Sequence, residues 1–339
     1  MIEKLIILSS KTRNMKTVIE NMVYGANARR PEQRGILSVS PGDIILLYDI
    51  DRRMLIGPFK AVDSVARATL LPWPEWSKHN WNFIVGFEPL FTKIGVLQGR
   101  GLLDLIVDAG RLSLRDRSAL EAFWVNTLIA GEAAGFFNGF LSRARFQSLD
   151  KLVIEYYNTR PRQRPEIEAA SLPGIVCSEI QAGRRGGLGE WVVEAALIAS
   201  SDAPRLTVGD PNATRAAGVY LYGRRFLDVV YLGRYGVNAV VEVKREIRGG
   251  SDLEAAVDQA AYYGYSLARG LGIPQETLQV IVAFTMSPLS AERLSSLFSG
   301  YAREKSLEYG LRDDMFTLAR VEVVCPQETM LEVGVDILG

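Results

Sequence analysis

LDVVYLGRYGVNAVVEVKRE, residues 227–246, contains two apolar runs separated by a glycine-containing turn. Apolar runs of this length, bounded by a turn, predict two β-strands that form a hairpin. Charged residues interrupt both runs: Asp228 lies in the first, and Glu242 and Lys244 lie near the end of the second. Because side chains alternate between the two faces of a strand, Glu242 and Lys244 share one face and the neighbouring valines occupy the other.

This hairpin brings the carboxylates of Asp228 and Glu242 together. Charged groups within apolar strands cost stability unless they form ion pairs or bind a ligand. Two clustered carboxylates repel each other, and a hard divalent cation that takes oxygen ligands relieves the repulsion. The alternative interpretation is a solvated strand edge with a surface ion pair, but the strands are too apolar to have one wet face.

The C-terminal half of the sequence alternates helical and extended patterns, which predicts a mixed sheet flanked by helices. The predicted elements are a helix at 187–200, strands at 225–233 and 237–246, a helix at 253–272, a strand at 278–284, a helix at 290–310 and a strand at 318–324.

The order of these elements, with an Asp, a hairpin and then Glu-x-Lys, resembles the PD-(D/E)xK nucleases over about residues 185–285. The resemblance implies an acidic residue on the preceding helix; Glu194 fits this role, and Glu190 is the alternative. Gln259 and Tyr263 lie one turn apart on the following helix. Such a Gln-x-x-x-Tyr pair is similar to that of the RecB-like branch. The sequence departs from the family pattern in having no proline before the Asp, a position that varies widely in the family.

The resemblance implies metal-dependent hydrolysis of phosphodiester bonds, with Mg²⁺ or Mn²⁺ as the cofactor. The implied metal ligands are the carboxylates of Asp228, Glu242 and Glu194 and the backbone carbonyl of Val243. Lys244 is implied to position or activate the attacking water and to stabilise charge on the phosphoryl group. Gln259 and Tyr263 are implied to orient the lysine or a phosphate.

The composition excludes several other kinds of site. The chain has one histidine, His79, which rules out a multi-histidine metal centre and disfavours a Ser-His-Asp triad. Its two cysteines, Cys177 and Cys325, cannot form a four-thiolate zinc or iron–sulfur site, although a disulfide between them is possible. The RecB-like relatives with a four-cysteine cluster are thereby excluded.

Lys and Arg (39) balance Asp and Glu (39), so any attraction to nucleic acid has to come from local basic patches. Several arginines flank the predicted hairpin and helices. Individually they are ordinary surface residues, but together they predict a track for phosphates. They are Arg184, Arg185, Arg224, Arg225, Arg245 and Arg248.

Residues 1–92 have a β-rich pattern, with strands predicted at 4–10, 43–50 and 82–90, a hairpin turn at 51–53 that leads into 54–65, and a helix at 17–25. VSPGDIILLYDIDRRMLIGPFKAVDSV (39–65) resembles the DCD and EVE group of PUA-like domains. That resemblance implies recognition of nucleic acid, including a modified base. The tryptophans of PWPEWSKHNW either stack on bases or pack a small barrel, and both interpretations remain open. They are Trp73, Trp76 and Trp81.

The sequence as a whole predicts a multidomain α/β (α+β) protein in three parts. Residues 1–92 form a PUA-like barrel, 93–168 a helical bridging segment and linker, and 169–339 a mixed-sheet domain like that of restriction endonucleases. The helices of the middle part either form a homodimer surface or pack between the two domains. We expect a cytoplasmic protein, because the N-terminus does not resemble a signal peptide and no apolar run is long enough to span a membrane.

The predicted function is a Mg²⁺-dependent DNA endonuclease of restriction or repair type. RNA remains open as a substrate. Two alternatives are a structure-specific nuclease that acts on branched, mismatched or single-stranded DNA, and a non-catalytic nucleic-acid-binding protein with a vestigial nuclease fold.

Overall fold

The computed structural model divides into two units, residues 1–172 and 173–339. The residues that it describes are 5–49, 51, 54–68, 83–89, 169–183, 189–200, 206, 214–221, 225–233, 236–270, 273–328 and 330–339. The predicted middle helices, the linker at 158–168, His79 and the three tryptophans near it lie outside the described residues.

In the described part of the first unit, seven strands form one sheet with the order β1-β3-β4-β6-β5-β7, and β2 pairs with β6. The strands are β1 (Leu5–Ser10), β2 (Val23–Ala26), β3 (Ile44–Asp49), β4 (Met54–Ala61), β5 (Ala66–Ala68), β6 (Phe83–Pro89) and β7 (Ala169–Ser171). A helix, α1 (Thr12–Asn21), and a 3-10 helix (Pro31–Ser38) accompany the sheet.

The turn before β3 has the geometry that its sequence favours. Gly42 has φ 97°, a left-handed conformation that glycine adopts without a steric cost. The carboxylate of the buried Asp43 accepts a hydrogen bond from the backbone N–H of Ser40 at 2.8 Å. This turn leads into Ile44–Leu47, four residues with no exposed surface, in strand β3, which lies between β1 and β4.

The predicted helix at 17–25 is placed wrongly by about one turn. Helix α1 ends at Asn21, and Met22 closes it in a left-handed conformation with φ 51°. The N–H of Met22 bonds to the carbonyls of Val18 and Ile19. Val23–Ala26 then turn away as β2, so Gly25 lies in a strand and does not end the helix.

The second unit contains a six-stranded mixed sheet with the order β13-β12-β11-β10-β9-β8 among its described residues. Its strands are β8 (Thr214–Leu221), β9 (Arg225–Gly233), β10 (Gly236–Glu246), β11 (Gln279–Met286), β12 (Phe316–Gln327) and β13 (Met330–Ile337). Its helices are α2 (Leu172–Ala182), α3 (Glu190–Ala199), α4 (Gly250–Tyr265) and α5 (Ala291–Tyr309), and a π-helical turn (Ser266–Gly270) follows α4.

The centre of this sheet is formed by β10 and β11, which run parallel and consist largely of buried valine, isoleucine and alanine. Helix α4 packs against both strands, and Gly264 allows the close approach. A Cβ atom at Gly264 would lie 2.6 Å from Cγ2 of Val280, a distance that side chains do not tolerate. The helix therefore lies directly on β11, the parallel neighbour of β10.

The fold class is confirmed as mixed α/β, with two sheets and several helices. The predicted strands at 225–233 and 237–246 are present within one residue of the expected bounds. Strands β8 and β13 and helix α2 were not predicted. In the part of the chain that the structure describes, no helix is both long and apolar enough to cross a membrane.

Candidate active site

The β9–β10 hairpin places Asp228 beside Glu242. The antiparallel register pairs Val229 with Val241, so each acid lies one residue beyond that pair. Oδ2 of Asp228 accepts a hydrogen bond from the backbone N–H of Val243 at 2.9 Å. This contact ties the carboxylate of one strand to the backbone of the next and fixes Asp228 at the mouth of the hairpin.

Glu242 has no exposed surface, and its carboxylate forms an ion pair with the ammonium of Lys244. The pKa of Glu242 is raised to about 8, first of all by burial, because a charge is poorly solvated there. The carboxylates of Asp228 and Glu190 also raise this pKa, and Lys244 lowers it; the value of about 8 is the balance of these effects. The attraction of Lys244 therefore does not compensate fully for the burial and the like charges around Glu242.

Lys244 connects the acidic pair to helix α4. Its ammonium lies 3.5 Å from Oε1 of Gln259, to which it donates a hydrogen bond. Burial opposes the charge on Lys244, but the nearby carboxylates, Glu242 first among them, outweigh burial and raise its pKa. Lys244 is therefore a cation at neutral pH.

Gln259 and Tyr263 share one face of α4, one turn apart, as their spacing predicts. Nε2 of Gln259 donates to the hydroxyl oxygen of Tyr263 at 2.5 Å. Tyr263 is almost fully buried, and its pKa is raised by burial and then by the charge of Glu242. Asp228, Glu242, Lys244, Gln259 and Tyr263 are thus brought into one cluster from three elements.

Helix α3 supplies the two candidate helical acids, which lie one turn apart. Glu194 has no exposed surface, whereas Glu190 is exposed in the first turn, where a negative charge interacts favourably with the helix dipole. The charge of Glu190 acts on both Glu242 and Lys244. The helix packs against β8, β9 and β10, so both acids belong to the element that covers the hairpin.

One residue outside this cluster, Arg215 on β8, contacts the helix of the candidate acids and was not singled out from the sequence. Nη1 of Arg215 donates to three backbone carbonyls at the C-terminal end of α3, those of Leu197 at 2.9 Å, Ile198 at 3.5 Å and Ser200. A signal was available in TRAAGVYL (214–221), where a single cation stands among small and apolar residues.

The described residues include only part of the predicted basic track. Arg184, Arg185 and Arg224 lie outside the described residues, and Arg225 begins β9 without a described side chain. Arg248 is exposed beyond β10 and forms an ion pair with Glu246 at 3.0 Å. Arg245 is partly buried, and the alternation of β10 places it on the face opposite Lys244.

Within the described residues, no three His, Cys, Asp or Glu side chains are grouped closely enough to hold a metal ion as they stand. The chemistry of the donors nevertheless fits a hard divalent cation. Glu242 is a buried carboxylate with a raised pKa, and Asp228 next to it contributes to that rise. A cation between the two would relieve the repulsion with oxygen ligands.

The two cysteines of the chain form a disulfide within the second unit, between Cys177 on α2 and Cys325 on β12.

Comparison of this chain with family models, with curated proteins and with solved structures found no match.

Proposed function

We propose that the second unit is a metal-dependent nuclease domain of the PD-(D/E)xK type, and that the protein is a DNA endonuclease. The observation that carries this proposal is the single cluster formed by Asp228 on β9, Glu242 and Lys244 on β10, and Gln259 on α4. Two carboxylates, a cation and an amide at one end of a buried hairpin are groups that metal-dependent hydrolysis of a phosphodiester can use.

The cofactor of the proposed reaction is Mg²⁺ or Mn²⁺. The carboxylates of Asp228 and Glu242 and the carbonyl of Val243 would hold it, with Glu194 or Glu190 as the acid from α3. When bound, such an ion lowers the pKa of a water molecule and stabilises the charge that develops on the phosphoryl group.

The protein side chains supply positioning and charge. Lys244 carries an ammonium at neutral pH, so its role is to hold the phosphoryl oxygens and orient water rather than to take up a proton. Gln259 contacts Lys244 on one side and Tyr263 on the other, which restricts the lysine to the direction of the acidic pair.

For the first unit, we propose a PUA-like domain that recognises a feature of DNA, such as a modified base, and directs the nuclease. Two nuclease sites, which a homodimer would provide, would let both strands of a duplex be cut. Support for the assignment of the first unit comes from the sequence pattern of residues 39–65 and from its β-rich fold.

The test is cleavage of supercoiled plasmid, linear duplex and single-stranded DNA with Mg²⁺ or Mn²⁺, each with and without modified bases. Glu242→Gln keeps the size of the buried side chain and removes its charge, so we expect cleavage to fall by at least about 100-fold. Glu322→Gln on β12 is the matched control, because Glu322 is a strand glutamate that is exposed.

Metal-dependent cleavage that is lost in Glu242→Gln and retained in Glu322→Gln would support the nuclease. Equal cleavage by both variants would overturn the assignment of the site. The preferred substrate separates restriction from repair, and equal affinity for modified and unmodified DNA would remove the modified-base part of the proposal.

A further inference from the structure

The partly buried cation of Arg215 lies at the C-terminal end of helix α3, the helix that carries the candidate acids Glu190 and Glu194. Arg215 is partly buried on β8, and burial lowers its pKa. Among the described residues, no carboxylate forms an ion pair with it; its partners are the carbonyls of Leu197, Ile198 and Ser200. In the described part of the chain, the guanidinium therefore donates hydrogen bonds to backbone oxygens and does not pair with a carboxylate.

These carbonyls are the ones that a helix end leaves without intrahelical partners. The last carbonyls of any α-helix need other donors, and they carry the negative end of the helix dipole. Ser200 closes α3 in an extended conformation, so the chain leaves the helix there. All three contacts run from Nη1, and the ammonium of a lysine would end one bond short of that atom.

The position of Arg215 is itself fixed by the sheet. Arg215 pairs in register with Tyr231 on β9, and the Tyr231 ring has no exposed surface. Strand β9 also carries Asp228, three residues before Tyr231. The same strand pair therefore holds one candidate metal ligand directly and, through Arg215, the end of the helix that carries Glu190 and Glu194.

We infer that Arg215 is a positioning residue that fixes helix α3 relative to the β9–β10 hairpin and so sets the distance between the helical acid and the Asp228–Glu242 pair. The inference rests on the proposed function, because it gives Arg215 a part in assembling the proposed metal site. A merely structural arginine would affect folding without affecting the arrangement of the acids in the folded protein.

The experiment uses the full chain with 5-fluorotryptophan. Trp191 follows Glu190 on α3 and is almost fully buried, so its ¹⁹F resonance reports the position of the helix. The resonance is identified among those of the five tryptophans by its absence in Trp191→Phe. Binding of Mn²⁺ alone is measured by electron paramagnetic resonance on the same samples, at a temperature where circular dichroism shows them folded.

For Arg215→Met we expect a shifted Trp191 resonance and Mn²⁺ affinity lower by about 10-fold, the lower end of what loss of a supporting contact costs at metal sites. Arg215→Lys keeps the charge and should restore part of both. Arg320→Met is the control, because Arg320 is half-exposed on β12 and, among the described residues, has its side-chain bond to the exposed Asp336. It should leave the resonance and the affinity unchanged.

An unchanged Trp191 resonance and Mn²⁺ affinity within about twofold of wild type in folded Arg215→Met would overturn the inference; about twofold corresponds to the 0.3–0.5 kcal/mol within which independent sites are uncoupled. If Arg215→Met does not fold, wild-type values of both quantities in Arg215→Lys, whose ammonium falls short of Nη1, overturn the inference. Failure of the proposed function looks different: wild type itself then binds no Mn²⁺, while the Trp191 resonance still decides whether Arg215 holds α3.

Discussion

At the scale of single residues, the buried carboxylate of Glu242 connects the candidate site to the pH dependence of folding. Its pKa is raised from the ordinary 4.5 to about 8 in the folded protein, so the folded state binds more protons than the unfolded state between these values. Stability therefore falls as the pH rises through this window. The charge that the proposed chemistry needs is a charge that the fold tolerates poorly.

We predict that Glu242→Gln is more stable than wild type in EDTA at pH 8.5, by on the order of 4 kcal/mol, the size of a pKa shift from 4.5 to about 8 that already includes the attraction to Lys244. At pH 5 the two proteins should be about equally stable, because Glu242 is then protonated in the folded state. Urea unfolding at both pH values measures the difference. An advantage of the variant that is as large at pH 5 as at pH 8.5 would contradict this account.

Gly264 gives a second prediction at the same scale. A methyl group there would lie 2.6 Å from Cγ2 of Val280, so Gly264→Ala should destabilise the second unit by about 1–3 kcal/mol. Gly300→Ala is the matched control in helix α5, because no atom lies within 4 Å of the added Cβ. It should stabilise the protein by about 0.5–1 kcal/mol through helix propensity alone. Thermal unfolding of both variants distinguishes packing from propensity.

At the scale of elements, the sequence predicts those strands whose apolar runs are continuous. Strands β9, β10 and β11 are long and rich in valine, and they appear close to where the pattern placed them. Strand β8 was missed because TRAAGVYL contains two alanines and a glycine, which have low strand propensity. The end of α1 was missed because Met22 ends the helix in a left-handed conformation. A glycine at such a position marks a helix end in the sequence, whereas a methionine does not.

In the candidate site, too, the contacts that follow from local rules were predictable and those between separate elements were not. The pairing of Asp228 with Glu242 was predictable because a hairpin and the alternation of side chains are local rules. The contact between Arg215 and the end of α3 was not, because it joins residues up to 18 positions apart whose elements meet only in the folded unit.

The disulfide between Cys177 and Cys325 joins helix α2 to strand β12 across 148 residues of sequence. Closing so long a loop restricts the unfolded chain, so Cys325→Ser should lower the free energy of unfolding by about 2–4 kcal/mol under oxidising conditions. Dithiothreitol should lower the stability of wild type by a similar amount and leave the variant unchanged. The disulfide would be shown to be absent if the melting temperature of wild type did not change with dithiothreitol and mass spectrometry of the untreated protein found two free thiols.

At the scale of the whole molecule, equal numbers of basic and acidic residues mean that binding of DNA depends on where the cations lie. Arg248 is the described member of the predicted basic track that is both exposed and close in sequence to Lys244. Its charge is shared with Glu246, so the ion pair has to open before Arg248 can bind a phosphate.

We predict that DNA affinity falls as salt rises, and that Arg248→Gln lowers the slope of log K against log salt by about 1, because one counterion fewer is released. Arg320→Gln is the matched control, since Arg320 is also an exposed arginine in an ion pair, with Asp336 on β13. Fluorescence anisotropy with a labelled duplex, in EDTA to prevent cleavage, measures the slopes. Equal slopes for the two variants would mean that Arg248 contacts no phosphate and that the track lies elsewhere on the chain. A slope near zero for wild type would instead argue against phosphate contacts as the basis of binding.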